Sequence, residues 1–111
     1  MPVIIVQEWE EREHGWGVRP DGYTLHASVA ACAAAVDARL RRQAEYYTKR
    51  GVIGAPDEYT TTSGAAQPRD VSQAVVDAVV AAGPEGLYTS SVDAAIAAIA
   101  AKAKPAKAKR R

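Results

Sequence analysis

The pattern of apolar and polar positions begins with a strand. Residues 3–6 are β-branched throughout, and residues 7–11 then become polar and acidic around Trp9. An uninterrupted β-branched run is typical of a strand buried on both faces. The pattern therefore predicts a first strand that is buried at its start and leaves the sheet as charge accumulates, with Trp9 still facing inward.

A second strand is predicted close behind the first. Residues 23–26 alternate between polar and apolar side chains. Before them, Pro20 and Gly22 occupy the second and fourth positions that suit a type I turn. We therefore predict a chain reversal at residues 19–22, which pairs the two strands as an antiparallel hairpin.

The next segment predicts a long amphipathic helix. Ser28 is a favourable N-cap, and Gly51 marks the expected end, with cationic residues in the second half where the helix dipole favours them. Cys32 lies on the apolar stripe, where a thiol behaves as a small core residue. The stripe recurs every three or four residues and consists of Val29, Cys32, Val36, Leu40, Gln43 or Ala44, and Tyr47.

The second half of the chain predicts a loop followed by a helix, a strand and a helix. Residues 51–68 form the loop, with a short extended piece at residues 58–60. The second helix has Asp70 and Gln73 as its capping pair, and Gly83 ends it. Its apolar stripe is Val75, Val76, Val79 and Val80. Residues 86–89 follow as a strand, and the pair Ser90 and Asp93 opens the third helix.

This order, ββα and then αβα, predicts an α+β fold with a small, mostly antiparallel sheet and helices packed on one face. The core is expected to be thin, because 24 of the 111 residues are Ala and only 20 are Val, Ile or Leu. Self-association commonly compensates for a small core, so we predict a homo-oligomer, with a homodimer as the simplest form.

Charge divides the chain into a single domain over residues 1–101 and a tail over residues 102–111. The tail has six basic residues and no acid, which leaves residues 1–101 with a net charge of −5. Its composition predicts a disordered tail that could contact nucleic acid without sequence specificity. The basic residues are Lys102, Lys104, Lys107, Lys109, Arg110 and Arg111.

The stretch from residue 16 to residue 26 carries the most chemistry in the fewest residues. One interpretation is structural: Pro20 and Gly22 form a turn, and Arg19 pairs with a strand acid. Another is a pocket that binds an anion and stacks a ring, and a third is acid–base catalysis by His26 with Asp21. The candidate ligand- or partner-binding residues are Trp16, Arg19, Asp21, Tyr23, His26 and Tyr59.

The same stretch carries a resemblance. Its pattern is W-G-x-R-P-D-G-Y-x-L-H, followed by Pro-Asp-Glu-Tyr at residues 56–59 and Gly-Leu-Tyr at residues 86–88. This resembles a group of small tailed-phage and prophage proteins, over about half of the chain. The resemblance implies an accessory protein of a mobile element, without a reaction or catalytic residues.

Enzyme, cofactor and metal signatures are weak. His14, His26 and Cys32 are spaced unlike any zinc or haem motif, and no complete phosphate-binding motif occurs. We therefore expect no enzyme activity, no cofactor and no metal. No apolar run reaches the length of a membrane span, and the single cysteine gives no sign of an oxidising compartment, so the cytoplasm of a host cell is expected.

Three functions follow as hypotheses. In the first, the acidic body docks on a host or phage protein and modulates or inhibits a nucleic-acid or defence system, with the acidic run Glu8, Glu10, Glu11 and Glu13 imitating a phosphate backbone. In the second, the chain is a sponge for an anionic, for example cyclic, nucleotide. In the third, it is a DNA-associated accessory protein that acts through its basic tail.

Overall fold

The computed structural model describes residues 1–13, 15–54 and 56–108, with side chains as far as residue 103. The elements in chain order are β1 (Val3–Glu13), β2 (Gly17–His26), α1 (Val29–Lys49), β3 (Glu58–Thr62), β4 (Gln67–Asp70), α2 (Gln73–Ala81), β5 (Leu87–Thr89) and α3 (Val92–Ala108).

The five strands form one antiparallel sheet, which confirms the α+β class. The strand order is β3-β1-β2-β5, and β4 also pairs with β1. Along one side of β1, residues Val3 to Val6 pair with β4 and residues Trp9 to Glu13 pair with β3. On its other side β1 pairs with β2. The long first strand is therefore the spine of the sheet, with hydrogen-bonding partners on both sides.

The sheet is covered by helices on both faces. Successive residues of a strand point to opposite faces, and Ile4 and Ile5 of β1 are both buried. Ile4 belongs to a core cluster with Leu25 and with Val75 and Val79 of α2, and α3 packs against the same cluster.

The opposite face carries Trp9, and α1 lies across it. The Arg39 guanidinium of α1 lies 4.1 Å from the centroid of the Trp9 ring. The expectation that the helices lie on one face therefore holds for α2 and α3 and is corrected for α1. The physical reason is the β-branched start of β1, which has apolar side chains to bury on both faces.

The chain reversal between β1 and β2 lies at residues 13–17, so the turn predicted at residues 19–22 is wrong. The Trp16 N–H donates to the Glu13 carbonyl at 3.0 Å. Residues 19–22 lie within β2 and contain a bulge, because Trp9 pairs with Gly22 whereas Glu10 pairs with Pro20. Turn-forming residues also suit a bulge, where one extra residue bends the strand. Here that residue is Asp21.

The acidic end of β1 stays within the sheet. We predicted that β1 would leave the sheet here, but the strand continues to Glu13 with β2 and β3 on either side. Ion pairs offset the repulsion: Arg19 of β2 pairs across the strands with Glu11 and Glu13, and Arg12 pairs with Glu10 of its own strand at 2.7 Å. The prediction that Trp9 faces inward is confirmed, because its side chain is 1% exposed.

Helix α1 begins and ends as its sequence predicts. The Ser28 Oγ accepts the Ala31 N–H at 3.0 Å, and Gly51 has a φ of +75° just beyond the helix. Cys32 is buried, as predicted, whereas Val29 in the first turn is exposed. Gln43 reaches the free edge of β3, where its side-chain amide accepts the Thr60 N–H at 2.8 Å and donates to the Thr60 carbonyl at 2.9 Å.

The loop predicted for residues 51–68 contains β3 and the start of β4. β3 extends the short piece predicted at residues 58–60. β4 was not predicted, because Pro68 argues against a strand unless that strand lies at an edge, and β4 is such a strand.

The two later helices lie where they were predicted, with shifted caps. Ser72 precedes α2 in place of Asp70, and the Ser91 Oγ accepts the Ala94 N–H at 3.2 Å in place of Ser90. Val75 and Val79 are buried, whereas Val80 is exposed.

Helix α3 runs into the basic tail. Its backbone is helical to Ala108, although we predicted a disordered segment from residue 102. Ala and Lys are strong helix formers, and adding residues to an existing helix costs less free energy than starting a new one. Residues 109–111 lie outside the described residues.

Candidate functional site

The six residues predicted to form a binding site are spread over the sheet. Trp16 lies in the turn at one end of the β1–β2 hairpin, and His26 is the last residue of β2. Ten residues of strand separate them, a span of about 30 Å at the usual rise per residue. A single small ligand therefore does not contact both.

Arg19 is held by acidic neighbours on the sheet. Its guanidinium contacts the Glu11 carboxylate at 2.6 Å and also pairs with Glu13, and these contacts raise the pKa of Arg19. The charges of Glu11 and Glu13 raise the pKa of the neighbouring Glu58 carboxyl. Carboxylate oxygens of these three glutamates lie within 4.8 Å of one another, a spacing that suits a divalent cation. Arg19 already supplies positive charge there.

Asp21 and His26 have separate partners and do not form a dyad. The Arg39 guanidinium donates to the Asp21 carboxylate at 3.1 Å, and the Tyr88 hydroxyl donates to the Asp21 carbonyl. His26 contacts Thr24 instead. The arrangement needed for acid–base catalysis by these two residues is absent from this part of the described chain.

His26 ends a buried polar chain beneath α1. The Trp9 Nε1–H donates to the Thr24 Oγ1 at 2.9 Å, and that oxygen lies 2.7 Å from the His26 Nε2. If the Thr24 hydroxyl donates onward, Nε2 is the acceptor and the ring is neutral, with its proton on Nδ1. Burial also lowers the pKa of His26, which favours the same neutral form.

This burial predicts a pH dependence of stability. The unfolded chain takes up a proton at His26 as the pH falls below about 6.5, whereas the folded state resists it. Stability is therefore complete above that pH and is lost on acidification, by at most about 1.4 kcal/mol per pH unit for one proton. We expect His26→Gln to reduce this slope between about pH 7 and pH 5. Urea unfolding of both proteins measures it. Equal slopes for the His26→Gln variant and the unchanged protein would contradict the assignment.

Tyr23 lies apart from the other candidates, whereas Tyr59 lies at the end of the sheet that carries the Trp16 turn. Tyr23 lines a depression with Ser90 and Ser91 at the start of α3, where Arg69 pairs with Asp93 at 2.7 Å. Tyr59 is partly buried on β3.

Two depressions meet at the end of the molecule that carries the hairpin turn. One has a volume of about 390 Å³ and lies between α1 and residues 52–59; the other is about 330 Å³ and lies beside Val18 of β2. Pro56 and Tyr59 line both depressions, so the two lie next to each other. We define the hairpin-end surface as the lining residues Val18, Val52, Pro56 and Tyr59 together with Trp16 and Ile53, which adjoin lining residues in the sequence.

The hairpin-end surface exposes large apolar side chains. Trp16 is 84% exposed and Ile53 is 97% exposed, and Val18 and Val52 are exposed as well. Sequence reasoning singled out Trp16 and Tyr59 but missed Val52 and Ile53. The available signal was an apolar pair between two glycines, Gly51 and Gly54, inside a predicted loop.

A third cavity lies between α1 and the β5 side of the sheet. We call it the α1 cavity, and its volume is about 240 Å³. Arg42 pairs across its rim with Glu85 at 3.0 Å. No sequence pattern predicted this cavity, because its lining comes from four separate segments: Trp9, Thr24, Ala35, Arg39, Arg42, Glu85, Gly86 and Tyr88.

No family model, curated protein or solved structure matches this chain. Among the described residues, no helix combines the length and the apolar character that crossing a membrane requires. The function has to be inferred from the chain's own surfaces.

Proposed function

We propose that this chain is a non-enzymatic binding protein that docks on a basic protein partner through the hairpin-end surface. The observation that carries the proposal is the exposure of Trp16 and Ile53. Trp16 lies between Gly15 and Gly17, which line one depression, and Ile53 lies between Val52 and Gly54, which line the other. Contiguous exposed apolar surface with a polar rim is typical of a protein-interaction site.

The turn is built to present Trp16. Gly15 and Gly17 flank it with φ values of +86° and +88°, a conformation that costs glycine little. Tryptophan is enriched among the residues that contribute most to protein interfaces, because it buries a large rigid area with few rotatable bonds. A tight turn that holds an exposed indole fits an anchor residue for a partner.

Charge around the hairpin-end surface favours a basic partner. Residues 10–19 and 56–59 contain five acidic residues and two arginines. The raised pKa of Glu58 reflects the same concentration of negative charge. Complementary charge accelerates association and selects against partners of like charge.

The described ionisable groups of the 16–26 stretch are not arranged for acid–base catalysis. Arg19 and Asp21 are neutralised by ion pairs, and His26 is buried. The sequence resemblance adds a phage or prophage setting to the proposal, with a host nucleic-acid or defence system as the target. Nucleic-acid contact through the basic tail stays a prediction, as does assembly into a homodimer.

A comparison of surface variants tests the docking proposal. Affinity capture from the cells that naturally make the chain is expected to recover a basic protein in stoichiometric amount. The double variant with Trp16→Ser and Ile53→Ser should lose that protein, because two anchors are removed from the interface. Capture should also weaken as salt rises from about 0.05 to 0.5 M, since the charged groups are exposed.

The matched control is Val29→Ser, which removes an exposed apolar side chain from the other end of α1. It should retain the partner. The proposal is refuted if no basic protein is recovered, or if the double variant and the control retain the same protein equally.

A further inference from the structure

We propose that the α1 cavity binds a small anion that carries a flat ring, with a nucleoside monophosphate as the representative class. This site is separate from the hairpin-end surface and does not depend on docking. It also uses none of the six residues that the sequence singled out, although Asp21 contacts its wall through Arg39.

The cavity has a rigid and partly apolar floor. Trp9, Thr24 and Ala35 lie there and are all buried. The Trp9 N–H donates a hydrogen bond to the Thr24 hydroxyl, so these two polar groups of the floor do not need a hydrogen-bonding partner from a ligand. Such a floor suits the edge of a ring better than a charged group.

Arg39 forms a wall that is fixed before any ligand arrives. Its guanidinium lies against the Trp9 ring at 4.1 Å and donates to Asp21 at 3.1 Å. The guanidinium has five N–H donors, and the bond to Asp21 is the one hydrogen bond that it makes to another described residue. A guanidinium fixed in this way can stack on a second flat ring and donate to an anion with little further loss of entropy.

Arg42 is the cation that can exchange partners. Its ion pair with Glu85 joins two exposed side chains, and such surface pairs contribute little free energy. A phosphate can take the place of the Glu85 carboxylate, which then turns into solvent. Arg42 and Arg39 would face the ligand, and Asp21 would balance one of the two charges.

The size of the cavity limits the ligand. About 240 Å³ is below the range of about 300–1,000 Å³ that is common for drug-sized ligands. The ring and the phosphate are the parts of the nucleotide proposed to enter this space, and Tyr88, which is exposed at the opening, offers a second stacking surface.

Fluorescence of Trp9 provides the test. The protein carries Trp16→Phe, which leaves Trp9 as its single tryptophan and changes an exposed position. We titrate this protein with AMP, GMP, CMP and UMP, and with uridine and inorganic phosphate as partial ligands. At least one nucleotide should change the emission saturably, and neither partial ligand should bind as tightly.

Arginine variants assign the site. Arg42→Ala should weaken nucleotide binding by about tenfold or more, since a charge-assisted contact is lost. Arg41→Ala is the matched control: Arg41 is the preceding residue on α1, is exposed and pairs with Asp37 instead. It should change the affinity by less than about twofold, as expected for a charge outside the site.

Three results would overturn the proposal: no saturable change with any of the four nucleotides, phosphate binding as tightly as the nucleotides, or equal losses in the two arginine variants. The melting temperature of each variant confirms that it is folded. Both arginines are exposed, so both variants are expected to fold.

Discussion

Trp9→Ala is expected to destabilise the fold by about 3–5 kcal/mol, the range for removing a large buried aromatic side chain. The indole is 1% exposed on the α1 face of the sheet, so its loss leaves a cavity beneath the helix. It also removes the donor to Thr24 and the ring on which Arg39 lies. Urea unfolding at neutral pH measures the change in the free energy of unfolding.

The second tryptophan is the control for the first. Trp16→Ala removes the same side chain from an exposed turn, so its effect on stability should stay within about 0.5 kcal/mol. Trp9→Phe should fall between the two, because it keeps most of the ring and loses the N–H. Equal effects of Trp9→Ala and Trp16→Ala would show that α1 does not pack on Trp9 as described.

Gly86→Ala is expected to destabilise the fold by about 3 kcal/mol or more. A β-carbon at this position would lie 2.6 Å from the His26 Cε1 and 2.8 Å from the Leu25 carbonyl oxygen. The backbone φ is +86°, which costs an alanine about 1–2 kcal/mol by itself. The rest of the destabilisation comes from steric overlap of the β-carbon with these atoms, because moving a buried ring or a strand carbonyl costs free energy.

Gly83→Ala separates these two contributions. Gly83 has a similar φ of +97°, and a β-carbon there would meet nothing within 4 Å. Its cost should therefore be the backbone contribution of about 1–2 kcal/mol. If both variants lose the same stability in urea unfolding, the close approach of Gly86 to the His26 ring is refuted.

Local signals correctly predicted those elements in which the capping residues or the apolar periodicity indicate a single structure. Ser28 and Gly51 bounded α1 because caps act on the adjacent turn and need no distant partner. Trp9 was predicted to face inward although its neighbours in the strand are acidic, and its side chain is buried. The burial of Val75 and Val79 on α2 was predicted from the helical period of its apolar residues.

Signals that serve two local structures were misread. Pro20 and Gly22 suit both a turn and a bulge. They lie in a bulge because β1 continues to pair with β2 as far as Glu13, beyond these residues. β1 was predicted to leave the sheet because of its acids, although one interpretation of the sequence already paired Arg19 with a strand acid; Arg19 lies opposite Glu11 and pairs with it. The β-branched start of β1 was predicted to be buried on both faces, and that prediction already requires helices on both sides of the sheet.

The candidate sites depended most on long-range contacts. The stretch at residues 16–26 is dense in the sequence, but a strand extends it over about 30 Å and alternates its side chains between two faces. The α1 cavity instead collects residues from β1, β2, α1 and the segment around β5. Nothing in the spacing of these residues along the chain reveals that they meet.

The sequence by itself determined the class of the fold, the bounds of α1, the inward position of Trp9 and the burial of Cys32. These depend on hydrogen bonds and side-chain periods within one element. The tertiary structure decided where the hairpin turns, which strand borders β1, which face each helix covers and which arginines meet an aromatic ring. Those outcomes depend on pairing between distant segments, whose free energy is shared by partners that no local pattern identifies.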